Sequence, residues 1–168
     1  MDSSGPLGED MDDRRIPALR DQLVEHLGRT GQVQASPIAE AFRSVPRHIF
    51  LPGVDPAVAY SDETVVTETT DDGRPLSSSS QPAIMAAMLE QLAVEPGQHV
   101  LEIGAGTGYN AALLAHLVGD GGTVTTIDID QNLVDQAREN LIAAGFPQVT
   151  VVCGDGAEGW AENGPYDR

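Results

Sequence analysis

One short segment in the second half of the chain has residue types and spacing suited to holding a small molecule. An acid near the end of an apolar run is followed by three alternating glycines: Glu102, Gly104, Gly106 and Gly108. Because glycine has no Cβ, the main chain there can take positive φ and a ligand can lie against it. The next residues, 109–118, are predicted as a helix whose first amides would face the same ligand. This order of strand, glycine loop and helix is typical of nucleotide-binding α/β domains.

The glycine loop opens a region in which strand and helix patterns alternate. Strands are predicted at 99–103, 123–129 and 149–153, and helices at 109–118 and 132–144. Such alternation predicts a parallel sheet with right-handed crossovers. Ligands of these sheets bind at the carboxyl ends of the strands. We therefore expect the three strand ends to converge on one site.

Further acids stand at the predicted strand ends. Asp128 follows the second strand, where it is placed to accept hydrogen bonds from ribose hydroxyls. Asp155, with Gly156 after it, follows the third strand, where it is placed to meet an adenine amino group. The alternative role for Asp155 is that of a turn residue. Asp130 is predicted as the N-cap of the next helix.

The spacing of the glycines narrows the class of ligand. Dinucleotide-binding loops space their glycines two and then three residues apart, and Walker loops need a Gly-Lys-Ser/Thr ending; this loop has neither feature. Its Glu-x-Gly-x-Gly-x-Gly pattern resembles motif I of class I S-adenosylmethionine-dependent methyltransferases. The resemblance implies S-adenosyl-L-methionine as cofactor and S-adenosyl-L-homocysteine as its product. Acidic neighbours suit a ligand that carries a sulfonium and an ammonium but no phosphate.

The residues before the glycine loop are predicted to be mainly helical. Helices are expected at 15–28, 36–45 and 82–92. The last of them is predicted to bury the apolar stripe Ile84, Met88 and Leu92. A short β-like run at 64–70 precedes a turn, and the serine-rich residues 76–82 are interpreted as the approach to the third helix.

Several segments stand in an order shared with one enzyme family. They are Val45-Pro46-Arg47-His48-Ile49-Phe50-Leu51-Pro52, Ala59-Tyr60-Ser61-Asp62, Ser78-Ser79-Ser80-Gln81-Pro82, the glycine loop, Gly154-Asp155-Gly156 and Pro165-Tyr166-Asp167-Arg168. From about Arg15 to its last residue, the chain resembles the protein-L-isoaspartate O-methyltransferases. The resemblance implies a Rossmann-like α/β fold, a parallel sheet with helices on both faces and an N-terminal helical extension. We expect a disordered acidic tail (1–14), a substrate-side region (15–94) and a cofactor-binding half (95–168).

The same resemblance implies a reaction and the residues that serve it. The methyl group would pass to the side-chain carboxylate of an L-isoaspartyl or aspartyl residue in a protein or peptide, and the ester would lead to a succinimide (aspartimide). A carboxylate with a pKa of about 4 is already ionised at neutral pH and needs no general base. Ser80 matches the family's active-site serine, which hydrogen-bonds that carboxylate. Ser78, Ser79 and Gln81 belong to the same substrate loop.

The chain departs from the family pattern in two ways. The Ser-Ser-Ser-Ser-Gln-Pro loop at 77–82 looks like the branch associated with ribosomally synthesised peptide natural products, so both kinds of substrate stay open. The second departure is length, because the family continues beyond Arg168 into further strands. We expect a C-terminally shortened chain with a bare strand edge. Self-association or a partner chain is expected to complete that edge.

Composition excludes several classes of partner. The net charge is −17 and all nine basic residues are arginine, which disfavours phosphate contacts with nucleic acid and binding to anionic membranes. The single cysteine, Cys153, fits a cytoplasmic protein and is interpreted as a small buried strand residue. The four histidines show no spacing typical of metal ligands, and no metal is expected.

Two alternative functions share the glycine loop. A small-molecule class I methyltransferase would have the cofactor half alone, without the Val-Pro-Arg and Ser-Gln-Pro segments. A truncated, non-catalytic module would bind the cofactor or a peptide and transfer no methyl group. Cofactor binding without turnover on any peptide would favour the non-catalytic module.

Overall fold

The computed structural model describes residues 7–70 and 72–168, with side chains described from residue 14 onwards except at 71. The helices are α1 (Leu7–Arg29), α2 (Ser36–Ser44), α3 (Pro56–Ala59), α4 (Pro82–Leu92), α5 (Tyr109–Val118) and α6 (Gln131–Ala143). The strands are β1 (Val65–Thr69), β2 (Pro75–Ser79), β3 (His99–Ile103), β4 (Thr123–Asp128) and β5 (Thr150–Cys153). Short 3₁₀ turns lie at Arg47–Phe50, Gly156–Glu158 and Ala161–Asn163.

Strands β3, β4 and β5 form a parallel sheet in that order. His99 pairs with Thr123 and Ile103 with Ile127, so β3 and β4 end level with each other. Both crossovers are helical, as the alternating pattern predicts. The predicted parallel sheet is therefore confirmed, with strand boundaries within a residue of those expected.

The two faces of this sheet have different neighbours among the described residues. Val100, Val124 and Val151 belong to the buried core that α5 and α6 share. Right-handed crossovers that step in one direction place their helices on the same face, which explains this arrangement. The opposite face meets the segment 156–166, where Asn163 Nδ2 donates to Thr125 Oγ1 over 3.0 Å. The two crossover helices, α5 and α6, thus lie on the same face of the sheet.

The N-terminal helices pack against the sheet layer through α5. The rings of Phe42 and Phe50 lie 6.3 Å and 5.5 Å from that of Tyr109, which is the first residue of α5.

Helix α1 begins at Leu7, so the tail predicted for 1–14 overlaps a helix, and residues 1–6 lie outside the described residues. The apolar periodicity starts only after residue 15, which is why the sequence placed the helix start too late. Along the described chain, no helix is both long enough and apolar enough to cross a membrane.

Three predictions of side-chain burial are wrong. Ile84 and Met88 are 54% and 49% exposed, while Met85 and Leu89 form the buried face of α4. This helix is apolar nearly all round, so its periodicity could not select the correct face. Cys153 is exposed at the end of the edge strand β5 and is not a core residue.

A strand precedes the Ser-Gln-Pro segment that the sequence predicted to be only an approach to α4. Strand β2 pairs antiparallel with β1, and Ser79 lies opposite Val65. Its serines have low strand propensity, so no sequence signal marked it. Ser80 consequently lies in the short connection between a strand and a helix.

Candidate functional site

The carboxyl ends of the three parallel strands converge on a cleft of about 250 Å³. Its lining residues are Ile103, Gly104, Ile127, Asp128, Ile129, Asp155, Gly156 and Ala157. No basic side chain is among them. The convergence expected from the alternating pattern is confirmed, and the cleft suits a ligand without phosphate groups.

All three glycines of the loop have positive φ. Gly104, Gly106 and Gly108 have φ of +95°, +51° and +88°, which side chains with a Cβ rarely adopt. Two hydrogen bonds connect the loop to β4. The amide of Gly104 donates to Ile127 O over 2.8 Å, and that of Gly106 donates to Asp128 Oδ2 over 3.1 Å.

Two of the predicted glycines serve close packing around the cleft. A Cβ on Gly108 would lie 3.2 Å from Leu141 Cγ, because this glycine packs against α6. A Cβ on Gly156 would collide with the side chain of Ile103. Both positions therefore keep the strand ends and helices close together, whatever contact they make with a ligand.

The acids at the strand ends already hold local structure. Asp155 Oδ1 accepts from the Ala157 amide over 2.9 Å, which is the turn role considered as its alternative. Asp130 accepts from Asn132 N over 2.8 Å and caps α6, as predicted. The contact of Asp128 with a ribose and the contact of Asp155 with an adenine remain predictions.

Glu102 occupies the boundary between the glycine loop and the sheet. Its Oε1 accepts from Asn110 Nδ2 over 2.7 Å, and its Oε2 accepts from Thr126 Oγ1 over 2.6 Å. The residue keeps some exposed surface, but its carboxylate lies inside the fold, and burial raises its pKa from 4.5 to about 7. The two donors oppose this rise, and the charge of Asp128 adds to it. The sequence did not identify Asn110 or Thr126, since neither belongs to the glycine pattern.

Replacing Glu102 with glutamine is expected to remove a pH dependence of stability. In wild type, the unfolded chain loses this proton at lower pH than the folded chain, so stability falls as pH rises from 4.5 to about 7. The loss from this group amounts to roughly 3 kcal/mol, and stability then levels off. Urea unfolding at pH 5 and pH 7.5 measures it as a difference between wild type and E102Q. Exposed Glu139 supplies the matched control E139Q, and equal pH dependence of wild type and E102Q would contradict the assignment.

Ser80 lies beside the glycine loop, in a second cleft of about 400 Å³ that Glu102, Gly104 and Asn110 also line. The serine is exposed, whereas its neighbour Ser79 is buried. The carbonyl oxygen of Ser78 is 3.9 Å from the position a Cβ on Gly106 would take, so the serine loop and the glycine loop face each other.

The other residues of the predicted substrate loop are held by hydrogen bonds. Gln81 is the N-cap of α4, without a side-chain cap bond, and its Nε2 donates to Asp62 O over 3.0 Å. Asp62 Oδ1 accepts from the Ala83 amide over 2.8 Å. The carbonyl of Ser80 accepts from Arg47 Nη2 over 3.0 Å. Sequence reasoning gave no role to Asp62 or Arg47, although both lie in segments of the family resemblance.

The model of the family described as protein-L-isoaspartate(D-aspartate) O-methyltransferase matches residues 18–168. The chain belongs to this family. A protein-L-isoaspartate O-methyltransferase from Thermotoga maritima is 42% identical over 130 residues, which is 77% of this chain and 41% of that protein. Its counterpart from Methanopyrus kandleri is 40% identical over 158 residues, or 94% of this chain and 67% of that protein.

A solved protein-L-isoaspartate O-methyltransferase supports the fold of this family member. It superposes with a TM-score of 0.79 at 37% identity, covering 88% of this chain and 46% of that structure. The chain thus spans less than half of that protein and of the Thermotoga relative. The fold class predicted from the sequence, a Rossmann-like α/β methyltransferase fold, is confirmed.

Proposed function

We propose that this chain carries the site of an S-adenosylmethionine-dependent O-methyltransferase that acts on a peptidyl side-chain carboxylate. The observation that carries the proposal is the position of exposed Ser80 in a cleft that also contains Glu102, Gly104 and Asn110 of the glycine-loop region. A cofactor on the glycine loop and an acceptor at Ser80 would therefore be neighbours. Family membership supports the same reaction.

The residues present fit the cofactor. The bare backbone of Gly104 and Gly106 leaves room for a ligand, and the strand-end cleft presents Asp128 and Asp155 for the adenosine part. The second cleft, with Gly104 and Asn110, would take the methionine part. When bound, the cofactor supplies an electrophilic methyl group on a sulfonium, a cation that an acidic site favours.

Orientation is the main contribution of this chain's own residues. The Ser80 hydroxyl would donate a hydrogen bond to one oxygen of the acceptor carboxylate and leave the other oxygen free to react. A neutral donor orients the carboxylate without neutralising its charge. Because that carboxylate is already ionised at neutral pH, no general base is required. Effective positioning of two reactants accounts for a large part of such a rate enhancement.

The substrate is proposed to be an L-isoaspartyl residue of a peptide or protein, whose ester leads to a succinimide. An aspartyl residue of a natural-product precursor peptide is the second candidate, favoured by the serine run of residues 77–80. Methyl transfer to an isoaspartyl peptide, to its normal aspartyl isomer and to a leader-bearing cyclic aspartyl peptide distinguishes these acceptors. We expect transfer to the isoaspartyl peptide at a rate well above that to its isomer.

Other outcomes of this assay have defined meanings. Transfer to the leader-bearing peptide alone would support the natural-product substrate. Calorimetric binding of S-adenosyl-L-methionine without transfer to any peptide would favour a non-catalytic cofactor-binding module. Transfer to a small-molecule carboxylate and to no peptide would instead support the small-molecule alternative. Either of the last two results would contradict the proposed function.

A further inference from the structure

Arg47 is a fully buried cation whose function is not explained by the site described so far. Its relative exposure is 0%, and it forms no ion pair with a carboxylate of the described residues. Burial lowers its pKa, while the nearby tyrosines and Asp62 act in the opposite direction. An unpaired buried cation is costly, and an apolar side chain of similar volume would avoid that cost. The contacts that Arg47 makes should therefore indicate why an arginine occupies this position.

The guanidinium contacts four parts of the fold. Nε donates to Ala59 O over 2.8 Å, at the end of α3. Nη2 donates to Ser80 O over 3.0 Å, and Nη1 lies 3.7 Å from Met85 Sδ on α4. The guanidinium carbon is also 5.0 Å from the centre of the Tyr109 ring, at the start of α5 and next to the glycine loop. One planar group thus fixes the serine loop relative to α3, α4 and the start of α5.

We propose that Arg47 is a positioning residue that fixes the main chain of Ser80 and thereby the direction of the Ser80 hydroxyl. The proposal rests on the proposed function of Ser80 in binding the acceptor carboxylate. If the peptide unit of Ser80 were mobile, its hydroxyl would adopt many orientations, and only some of them could donate a hydrogen bond to the acceptor carboxylate. Fixing the carbonyl of the same residue reduces that freedom before the substrate arrives.

Arginine suits this task better than lysine. Its donors lie in a rigid planar fork, so Nε and Nη2 can reach the carbonyls of Ala59 and Ser80 at the same time. A lysine ammonium is a single point on a flexible stem and would have to choose between them. The position over the Tyr109 ring also suits a guanidinium, which forms cation–π contacts more often than an ammonium does.

The test compares Arg47→Lys with wild type in three measurements. We expect kcat for peptide methylation to fall about tenfold, with the Kd for S-adenosyl-L-methionine unchanged in calorimetry. Hydrogen exchange of the peptide covering residues 76–83 should become faster, while the peptide covering 99–108 stays as protected as before. Arg43→Lys is the matched control, since Arg43 is exposed on neighbouring α2, and it should change none of these values.

The outcomes separate this proposal from the function on which it rests. Unchanged exchange at 76–83 in folded R47K would overturn the role of Arg47, whether or not the chain is active. Absence of transfer by wild type would contradict the proposed function, while the exchange measurement would still decide whether Arg47 orders the loop. If R47K does not fold, R47Q repeats the comparison with a neutral donor. Loss of cofactor affinity in parallel with kcat would indicate general structural damage and would also overturn the proposal.

Discussion

Valine in place of Gly106 is expected to abolish binding of S-adenosyl-L-methionine. Gly106 has φ of +51°, where a β-branched side chain is strained, and its amide is fastened to Asp128. Its substituent would also project toward the serine loop, across the space a ligand on this backbone would use. We expect the affinity to fall by at least about a hundredfold, which corresponds to roughly 3 kcal/mol. Isothermal titration calorimetry measures this directly.

A second glycine provides the control for this experiment. Gly119 also has positive φ, of +63°, and a Cβ there would meet no atom within 4 Å. It lies just after α5, at the opposite end of that helix from the glycine loop. Gly119→Val should therefore reduce stability through backbone strain and keep the cofactor affinity. Wild-type affinity in G106V would contradict the assignment of the loop.

Removing the hydroxyl of Ser80 is expected to slow methyl transfer without weakening cofactor binding. A hydrogen bond to a charged group contributes about 1.5–3 kcal/mol, so the rate should fall about tenfold to a hundredfold in Ser80→Ala. The alanine side chain fits wherever the exposed serine does, and the fold should not change. Single-turnover rates with an isoaspartyl peptide, together with cofactor titration, measure the two effects separately.

The control is Ser77→Ala, which makes the same chemical change earlier in β2, opposite Glu68. It should transfer methyl groups at the wild-type rate. Equal rates for S80A and wild type would limit Ser80 to a structural role before α4. The structure makes Gln81 the N-cap of α4, so the simplest structural role, a serine cap, does not apply.

The sequence predicted the parallel sheet well because its signals are local. Strands β3 and β4 are rich in apolar or β-branched residues and are bounded by turns, and right-handed crossovers then leave little freedom of topology. The convergence of Asp128 and Asp155 with the glycine loop follows from that topology alone. Strand β2 could not be predicted in the same way, because serine carries no strand preference and only its pairing with β1 makes it a strand.

Contacts between segments that are distant in the chain could not be predicted from the sequence. Arg47 and Ser80 are 33 residues apart, and nothing in either segment indicates that a guanidinium meets a particular carbonyl. The hydrogen bonds that hold Glu102 likewise need the packed positions of Asn110 and Thr126. For α4, the side chains pointing inward depended on the neighbouring helices, since both of its faces are apolar.

The hairpin β1–β2 determines where this chain tolerates changes in length. Side chains alternate along a strand, so Ser79 is buried while Ser80, just after β2, is exposed. One residue inserted between 75 and 79 would exchange the buried and exposed faces of the serines that follow it. A different hydroxyl would then face the cleft. Insertions at the exposed turn between β1 and β2 would leave that alternation intact. Insertions and deletions at the tip of the hairpin are therefore compatible with the site at Ser80. Those within β2 are not.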